Sequence, residues 1–335
     1  MRILIVSADR TVAGGVPANL GDAFLTDALA DALMTAGNRV EVVDFGESRF
    51  SSGLPRTRAD GIRGLASAIA RNQAVVIGGG TLIQDDRPDR LIGGLARLCA
   101  VTALLARGMG KPVRFFGVGC DSIERRSPRL LYRIATRGNR VWVREDDSRD
   151  RFVRMFASTP GVSSDVALLK HVDETPRLDT DRIVLAMNRS EGAQVSPALL
   201  DVLAQHGTAS FLSMDQQEDA ADYLSVPAEA LARLSHEREA LGWEAAWHRI
   251  GGSKALLGSR MHALYMAAML GVPMVAIGSR EKVVSFAGEF GVPLIASLAD
   301  YAPGSERPAD PSAVAAAVGR AGEALTELVA SLSRR

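Results

Sequence analysis

The feature that most constrains this chain is an alternation of short Val/Ile-rich runs with helix-length stretches, sustained through its 335 residues. Arg2–Ser7, Arg39–Phe45, Ala74–Ile77, Val113–Val118 and Arg140–Val143 are apolar runs with little polar alternation. Strands covered by helices on both faces need such runs, whereas a half-exposed strand alternates. Helical stretches at about 21–36, 58–71, 88–109, 128–137 and 147–156 lie between them, with Gly37 and Gly110 placed to end the first and third. The pattern stops at 171–181, where His171–Arg177 is polar, contains Pro176 and reads as a linker. A second series follows: strands Ile183–Met187, Ala209–Leu212, Ala255–Leu257, Met274–Ile277 and Leu294-Ile295, with helices near 197–205, 228–240, 243–250, 260–270, 281–289 and 311–332. Pro311 suits a first helical turn and Arg334-Arg335 the C-terminal end of the last helix. The pattern predicts an α/β protein of two doubly wound, Rossmann-like domains, 1–172 and 180–335, facing a cleft. The last helix is free to pack back towards the N-terminal half. Ligands in such sheets bind outside the carboxyl ends of the strands.

Composition narrows the function classes. Lys plus Arg and Asp plus Glu both number 39, and aromatics make up 5%. Nucleic-acid surfaces usually carry a basic excess, and single-strand platforms need aromatic rings; no nucleic-acid partner is expected. The two cysteines, Cys99 and Cys120, lack metal or redox spacing and read as buried thiols. The N-terminal apolar run ends at Asp9, too short for a signal-peptide core. The long uncharged run after Arg260 is broken by His262 and by Gly271-Val272-Pro273, so no transmembrane segment is expected. No helix reads as basic and amphipathic in the manner of a membrane-surface anchor. The expected location is cytoplasmic, with peripheral attachment at the inner membrane face left open, as is a homo-oligomeric state.

Four strand-to-helix junctions carry the chemistry. Asn19-Leu20-Gly21-Asp22 opens the first helix after a loop with Gly14, Gly15 and Pro17; it suits anions or sugar hydroxyls at a helix N-terminus, or simple capping by Asn19 or Asp22. Gly78-Gly79-Gly80-Thr81 leaves no side chain between backbone and an anion, or forms a tight turn. It is neither GxGxxG nor a P-loop. Gly117-Val118-Gly119-Cys120-Asp121 is glycine-lined or merely bent, and beyond the next strand Arg144 is a binding cation or a surface ion pair. The most informative junction is Ser259-Arg260-Met261-His262, opening a helix of Ala, Leu, Met and Tyr. An Arg and a His there are costly unless an anion or a proton transfer uses them. The plainer reading is a capping His with an Arg salt bridge. Arg280-Glu281-Lys282, after the next strand, adds cations or is a solvated helix start.

Taken in order, these motifs resemble the polysaccharide pyruvyl transferase family. The matches are Asn19–Asp22, Val75–Leu82 with Asp85, Gly117-Val118-Gly119, Val143-Arg144 with Ser148, and Asp165. They continue with Ser259–Leu264 running to Gly271-Val272-Pro273, then Lys282, Phe286 and Gly291, so the resemblance spans about residues 1–295. The chain departs at Cys120-Asp121, where the family commonly has Pro, and at Asp165-Val166-Ala167, where it often has Asp-Pro-Ala. The resemblance implies a two-domain GT-B-type enzyme that moves a pyruvyl group from phosphoenolpyruvate onto a sugar of a cell-envelope polysaccharide, exopolysaccharide or lipid-linked precursor. A cyclic ketal forms and phosphate leaves, with phosphoenolpyruvate as co-substrate, no other cofactor and no metal. In that reading Arg260 and His262 are catalytic. Arg260, Lys282, Arg144 and Ser259 bind the donor, and Asn19, Asp22, Gly78, Gly79, Gly80 and Asp85 bind the acceptor. A GT-B nucleotide-sugar glycosyltransferase and a non-catalytic sugar- or anion-binding member are the alternatives.

Overall fold

The computed structural model describes residues 1–12, 16–46, 54–91, 93–171, 181–215, 226–237 and 242–333. Gly14, Gly15, the linker from 172 to 180, 238–240 of the helix expected at 228–240, and Arg334-Arg335 lie outside them. The chain forms two compact units. Met1–Gly15, Asp22–His171 and Ala317–Arg335 make the first; Val16–Gly21 and Val172–Ala316 make the second.

The first half of the chain runs β1 (Arg2–Val6), β2 (Arg10–Val12), β3 (Val16–Pro17), α1 (Leu20–Thr35), β4 (Arg39–Gly46), β5 (Arg56–Arg58), α2 (Gly61–Arg71) and β6 (Ala74–Gly78). It continues with α3 (Gly94–Gly108), β7 (Val113–Val118), α4 (Arg126–Thr136), β8 (Arg140–Val143), α5 (Asp146–Phe156) and β9 (Gly161–Val162). The first unit's sheet is parallel, in the order β2-β4-β1-β6-β7-β8-β9, with β5 on β4. Ile3–Val6 and Val75–Ile77 are buried, as parallel strands between helical layers must be. The apolar runs predict β1, β4, β6, β7 and β8; β2, β5 and β9 carry no such signal. In β5, Arg56 is buried because three carboxylates surround it, Asp9 at 3.1 Å, Asp44 at 2.8 Å and Asp27 at 2.8 Å. A buried charge needs such partners.

The second half runs β10 (Arg182–Ala186), α6 (Arg189–Gly192), α7 (Pro197–Ala204), β11 (Thr208–Leu212), α8 (Ala228–Leu231), β12 (Ser235–Glu237), α9 (Trp243–Gly251) and β13 (Ala255–Gly258). Then come α10 (Met261–Leu270), β14 (Met274–Ile277), α11 (Glu281–Phe290), β15 (Leu294–Ile295) and α12 (Pro311–Leu332), most of which belongs to the first unit. The second unit's sheet is parallel, in the order β12-β11-β10-β13-β14-β15. Its strand order reverses between β10 and β13, which makes their carboxyl ends the natural crevice for a ligand. Helix α10 is buried from Ala263 to Ala268, and Tyr265 packs edge-on against Phe286 of α11 at 5.0 Å between ring centres. A helix enclosed this way can be apolar all round.

Several boundaries differ from the sequence reading, and two of them have a clear cause. The helix expected at 228–240 stops at Leu231, and Ser235–Glu237 instead pairs with β11 as an edge strand. Ala, Glu, Leu and Arg favour a helix there, but the open edge of β11 offers backbone bonds that local propensity cannot foresee. The helix expected from 88 begins at Gly94, because the Asp86 carboxylate accepts the N–H of Gly94 at 3.0 Å and of Leu95 at 3.3 Å. Among the described residues no helix is long and apolar enough to cross a membrane.

Candidate functional site

In the second unit the chain leaves β13 through Ser259, and Arg260 takes the N-cap position of α10 with extended backbone angles (φ −86°, ψ 114°). The Ser259 hydroxyl is buried. Its oxygen accepts the N–H of Asn188 at 2.8 Å and the Asn188 side-chain amide at 3.0 Å. Its proton goes to Glu191 Oε2 at 3.2 Å, which also accepts the Ser190 hydroxyl at 2.9 Å. These bonds tie the β10–α6 turn to the β13–α10 turn at the point where the strand order reverses. Glu191 and Asn188 escaped the sequence reading. An Asn-Arg-Ser-Glu stretch after a strand looks like a solvated helix start, and only the fold shows that Asn188 and Glu191 are buried.

The same turn sets Arg260 and His262. A helix start presents unpaired N–H groups and the positive end of the macrodipole, so a cation at the cap makes it strongly anion-attracting. One strand further, Arg280 caps α11 and Lys282 sits in its first turn, both exposed. His262 lies against Gly21: a Cβ there would fall 2.1 Å from His262 Nδ1 and 2.7 Å from its Cγ. Asn19 caps α1, its side-chain oxygen accepting the Gly21 N–H at 2.8 Å. Leu20 N–H bonds to Met214 O at 2.7 Å beyond β11. The structure therefore brings together two sequence motifs, Asn19-Leu20-Gly21 and Ser259-Arg260-Met261-His262. Asn19 was expected on the N-terminal side; it groups with the second unit.

The first unit gathers the remaining residues. Gly78, Gly79 and Gly80 are buried, and the latter two have φ of +78° and +79°. A Cβ would meet Leu29 Cδ2 at 2.8 Å from Gly78, Leu25 Cβ at 3.2 Å from Gly79 and Asp22 Oδ1 at 3.0 Å from Gly80. On the side a Cβ would occupy, these glycines thus admit α1 and, at Gly78, the Phe116 carbonyl at 2.8 Å. Asp85 forms a two-pronged ion pair with Arg125, which holds its carboxyl below the usual range. Arg144 is buried rather than on the surface, paired with Glu145 and 3.7 Å from Asp165 Oδ2. Its guanidinium carbon would be 3.1 Å from a Cβ at Gly119. Burial pushes the Asp165 carboxyl up, while Arg144 and the Ala167 N–H oppose that shift. Cys99 and Cys120 are buried as expected, their thiols pushed up to about 12, chiefly by burial. Among the described residues no three or more His, Cys, Asp or Glu side chains are grouped to hold a metal ion.

Structural likeness bears on the fold. The UDP-GlcNAc 2-epimerase of Methanocaldococcus jannaschii superposes with a TM-score of 0.58 at 11% identity, covering 99% of this chain and 100% of that one. The same enzyme from Neisseria meningitidis, bound to UDP-GlcNAc, gives 0.54 at 12% identity, covering 99% and 100%. The glycosyltransferase SnogD of Streptomyces nogalater gives 0.54 at 15% identity, covering 99% of each chain. At such identities the likeness establishes a GT-B-type α/β fold of two Rossmann-like units, with no bearing on substrate. No curated protein matches significantly in sequence. The sequence model of the family described as polysaccharide pyruvyl transferase, however, matches residues 19–281. That span begins at the Asn19 cap and runs past the Ser259–His262 turn to the start of α11, and the chain belongs to the polysaccharide pyruvyl transferase family.

Proposed function

We propose that the protein transfers the enolpyruvyl carbons of phosphoenolpyruvate onto two hydroxyls of a glycan acceptor, forming a cyclic ketal and releasing phosphate. The observation that carries this reading is the convergence of Arg260 and His262 on one turn at the reversal point of the second sheet, with His262 seated on Gly21. Phosphoenolpyruvate is small and multiply anionic. It calls for cations and helix N-termini rather than a nucleotide pocket, and the starts of α10 and α11 supply both.

In this mechanism Arg260 holds the carboxylate or phosphate with its planar fork, and Lys282 adds a second positive charge. One acceptor hydroxyl attacks C2 and gives up its proton to a base while the methylene carbon gains a proton and becomes a methyl group, giving a tetrahedral phospho-ketal. The second hydroxyl then attacks C2 as the C2–O bond to phosphate breaks, and its proton is lost to a base. His262 fills the acid and base roles, since its ordinary pKa lies near neutrality. By chemical type, Arg144 is assigned to the donor and Asp22 to the acceptor. No further cofactor enters the scheme.

The test is a phosphate-release assay with phosphoenolpyruvate and a panel of glycan acceptors, alongside thermal stabilisation by phosphoenolpyruvate and by UDP. Acceptor-dependent phosphate release is expected, lost in Arg260→Ala and reduced at least about a hundredfold in His262→Ala. Full turnover in either variant would sink the role assignments; stabilisation by UDP alone would point to nucleotide-sugar chemistry instead.

A further inference from the structure

The zero net charge hides an uneven distribution. Between Arg87 and Arg140 the sequence holds twelve Lys and Arg against three Asp and Glu. Much of that excess lies on one helical layer of the first unit. In α4 the buried residues are Pro128, Tyr132, Ala135 and Thr136, which leaves Arg126, Leu130, Arg133 and Arg137, at its end, on the outward stripe. All four are exposed, Leu130 at 58%. Helix α4 is thus basic along its outward face, which the sequence reading passed over. The helix begins two residues earlier than the sequence suggested, which adds Arg126 to the stripe.

Helix α3 extends the face. Arg97 and Leu104 point outward, Leu104 at 49% exposure, and Arg107 reaches across to donate to the Arg137 carbonyl at 2.8 Å. At the other end Ser127 donates to the Leu91 carbonyl at 2.6 Å, so Leu91, 79% exposed, borders the start of α4. Neither helix contains an acidic residue. Among the described residues, Arg97, Arg126, Arg133 and Arg137 have no carboxylate partner.

Helix stability does not explain this arrangement. A cation in the first turn of α4 opposes the macrodipole, and Arg129, Arg133 and Arg137 are like charges four residues apart. Solubility does not call for three leucines exposed by about half or more among the cations. Arginine heads that meet lipid phosphates while leucines enter the acyl boundary do account for both. Nucleic acid would use the cations but gain nothing from the leucines, and the exposed stripes carry no aromatic for stacking.

We infer that the α3–α4 face docks the protein on an anionic phospholipid surface. The juxtaposition that carries this is the paired Arg/Leu stripes of α3 and α4, two helices that contain no acidic residue, with Asp89 and Glu124 at their margin. The inference stands apart from the reaction proposed above: membrane binding is measured without phosphoenolpyruvate, so either can fail alone.

The experiment is flotation of the full chain with phosphatidylcholine vesicles, with and without phosphatidylglycerol, at low and high salt. Binding is expected only with phosphatidylglycerol, and weakens with salt. Each arginine near the surface contributes about fivefold to partitioning, so Arg126→Gln/Arg133→Gln/Arg137→Gln should lose roughly a hundredfold. Leu104→Ser/Leu130→Ser should shed the part of binding that survives high salt. Unchanged melting midpoints show that the variants are folded, and single substitutions at Arg133 and Leu130 replace any that are not. Wild-type indifference to phosphatidylglycerol, or undiminished binding by folded variants, overturns the inference. So does preference for duplex DNA over vesicles at the same salt.

Discussion

Gly21→Ala separates the seating of His262 from ordinary helix energetics. Gly21 is the second residue of α1, where alanine would on propensity alone stabilise the helix by at most about 1 kcal/mol. Its Cβ, however, would stand 2.1 Å from His262 Nδ1, and ordinary van der Waals contact begins near 3.4 Å, so the imidazole must retreat by about 1.3 Å. Overpacking of that kind typically costs about 1–3 kcal/mol, so a net loss of up to about 2 kcal/mol is expected despite the better helix former. A misplacement near 1 Å costs a catalytic group on the order of a hundredfold in rate. The paired assays are the melting midpoint and acceptor-dependent phosphate release. The double variant Gly21→Ala/His262→Ala closes the cycle: with the ring gone, the alanine should be neutral or stabilising. A single variant with an unchanged or higher midpoint and wild-type turnover would refute the contact and the role built on it.

Three other expectations follow from buried groups. Glu191→Ala leaves the hydroxyl protons of Ser259 and Ser190 without their acceptor and should cost about 1–3 kcal/mol. Glu191→Gln keeps an acceptor oxygen and should restore most stability and turnover, whereas equal losses in both would show that charge, not geometry, is what matters. The Asp165 carboxyl is held above its ordinary value, chiefly by burial, so its protonated form favours the native state. Its contribution is present below the unfolded-state pKa and is lost as pH rises through the folded one. Asp165→Asn should therefore gain on the wild type with rising pH across that window in denaturation titrations; a constant difference would contradict the shift. Finally, with both thiols buried and pushed up to about 12, Cys99 and Cys120 should resist a thiol reagent in the native protein and react only on unfolding.

The parts of the fold legible in the sequence were those whose cause is local. Strands such as Ala74–Gly78 and Met274–Ile277 are unbroken apolar runs because helices cover both faces of the sheets. What stayed hidden depends on partners far along the chain. Arg56 looks like a surface residue until Asp9, Asp27 and Asp44 surround it. Ser235–Glu237 looks helical until the edge of β11 claims it. The site divides in the same way. Arg260 and His262 were conspicuous because they begin an apolar helix. Glu191 was not, since a carboxylate among Asn, Arg and Ser gives no hint of burial. The three glycines at 78–80 invited a ligand, yet the space a Cβ would fill is taken by Leu25, Leu29 and Asp22 of α1 and by the Phe116 carbonyl. A glycine reports that something comes close to the backbone, without saying whether it is a substrate or the protein itself.

Charge balance carries the same lesson at the scale of the whole chain. Thirty-nine cations against thirty-nine anions leave no basic excess overall, but the segment from Arg87 to Arg140 takes twelve and three of them, leaving the rest of the chain acidic by nine. On the two readings proposed above, two kinds of cation serve different ends. Arg260, capping α10, is partly shielded and acts at short range, where added salt screens little. Arg126, Arg133 and Arg137 are many, exposed and without partners among the described residues, the condition in which attraction to a charged surface falls steeply with ionic strength. Raising salt should therefore release the protein from anionic vesicles well before it weakens turnover of phosphoenolpyruvate with a water-soluble acceptor. A parallel decline of both would mean that the arginines of the α3–α4 face and those of the candidate site answer to one ligand rather than two.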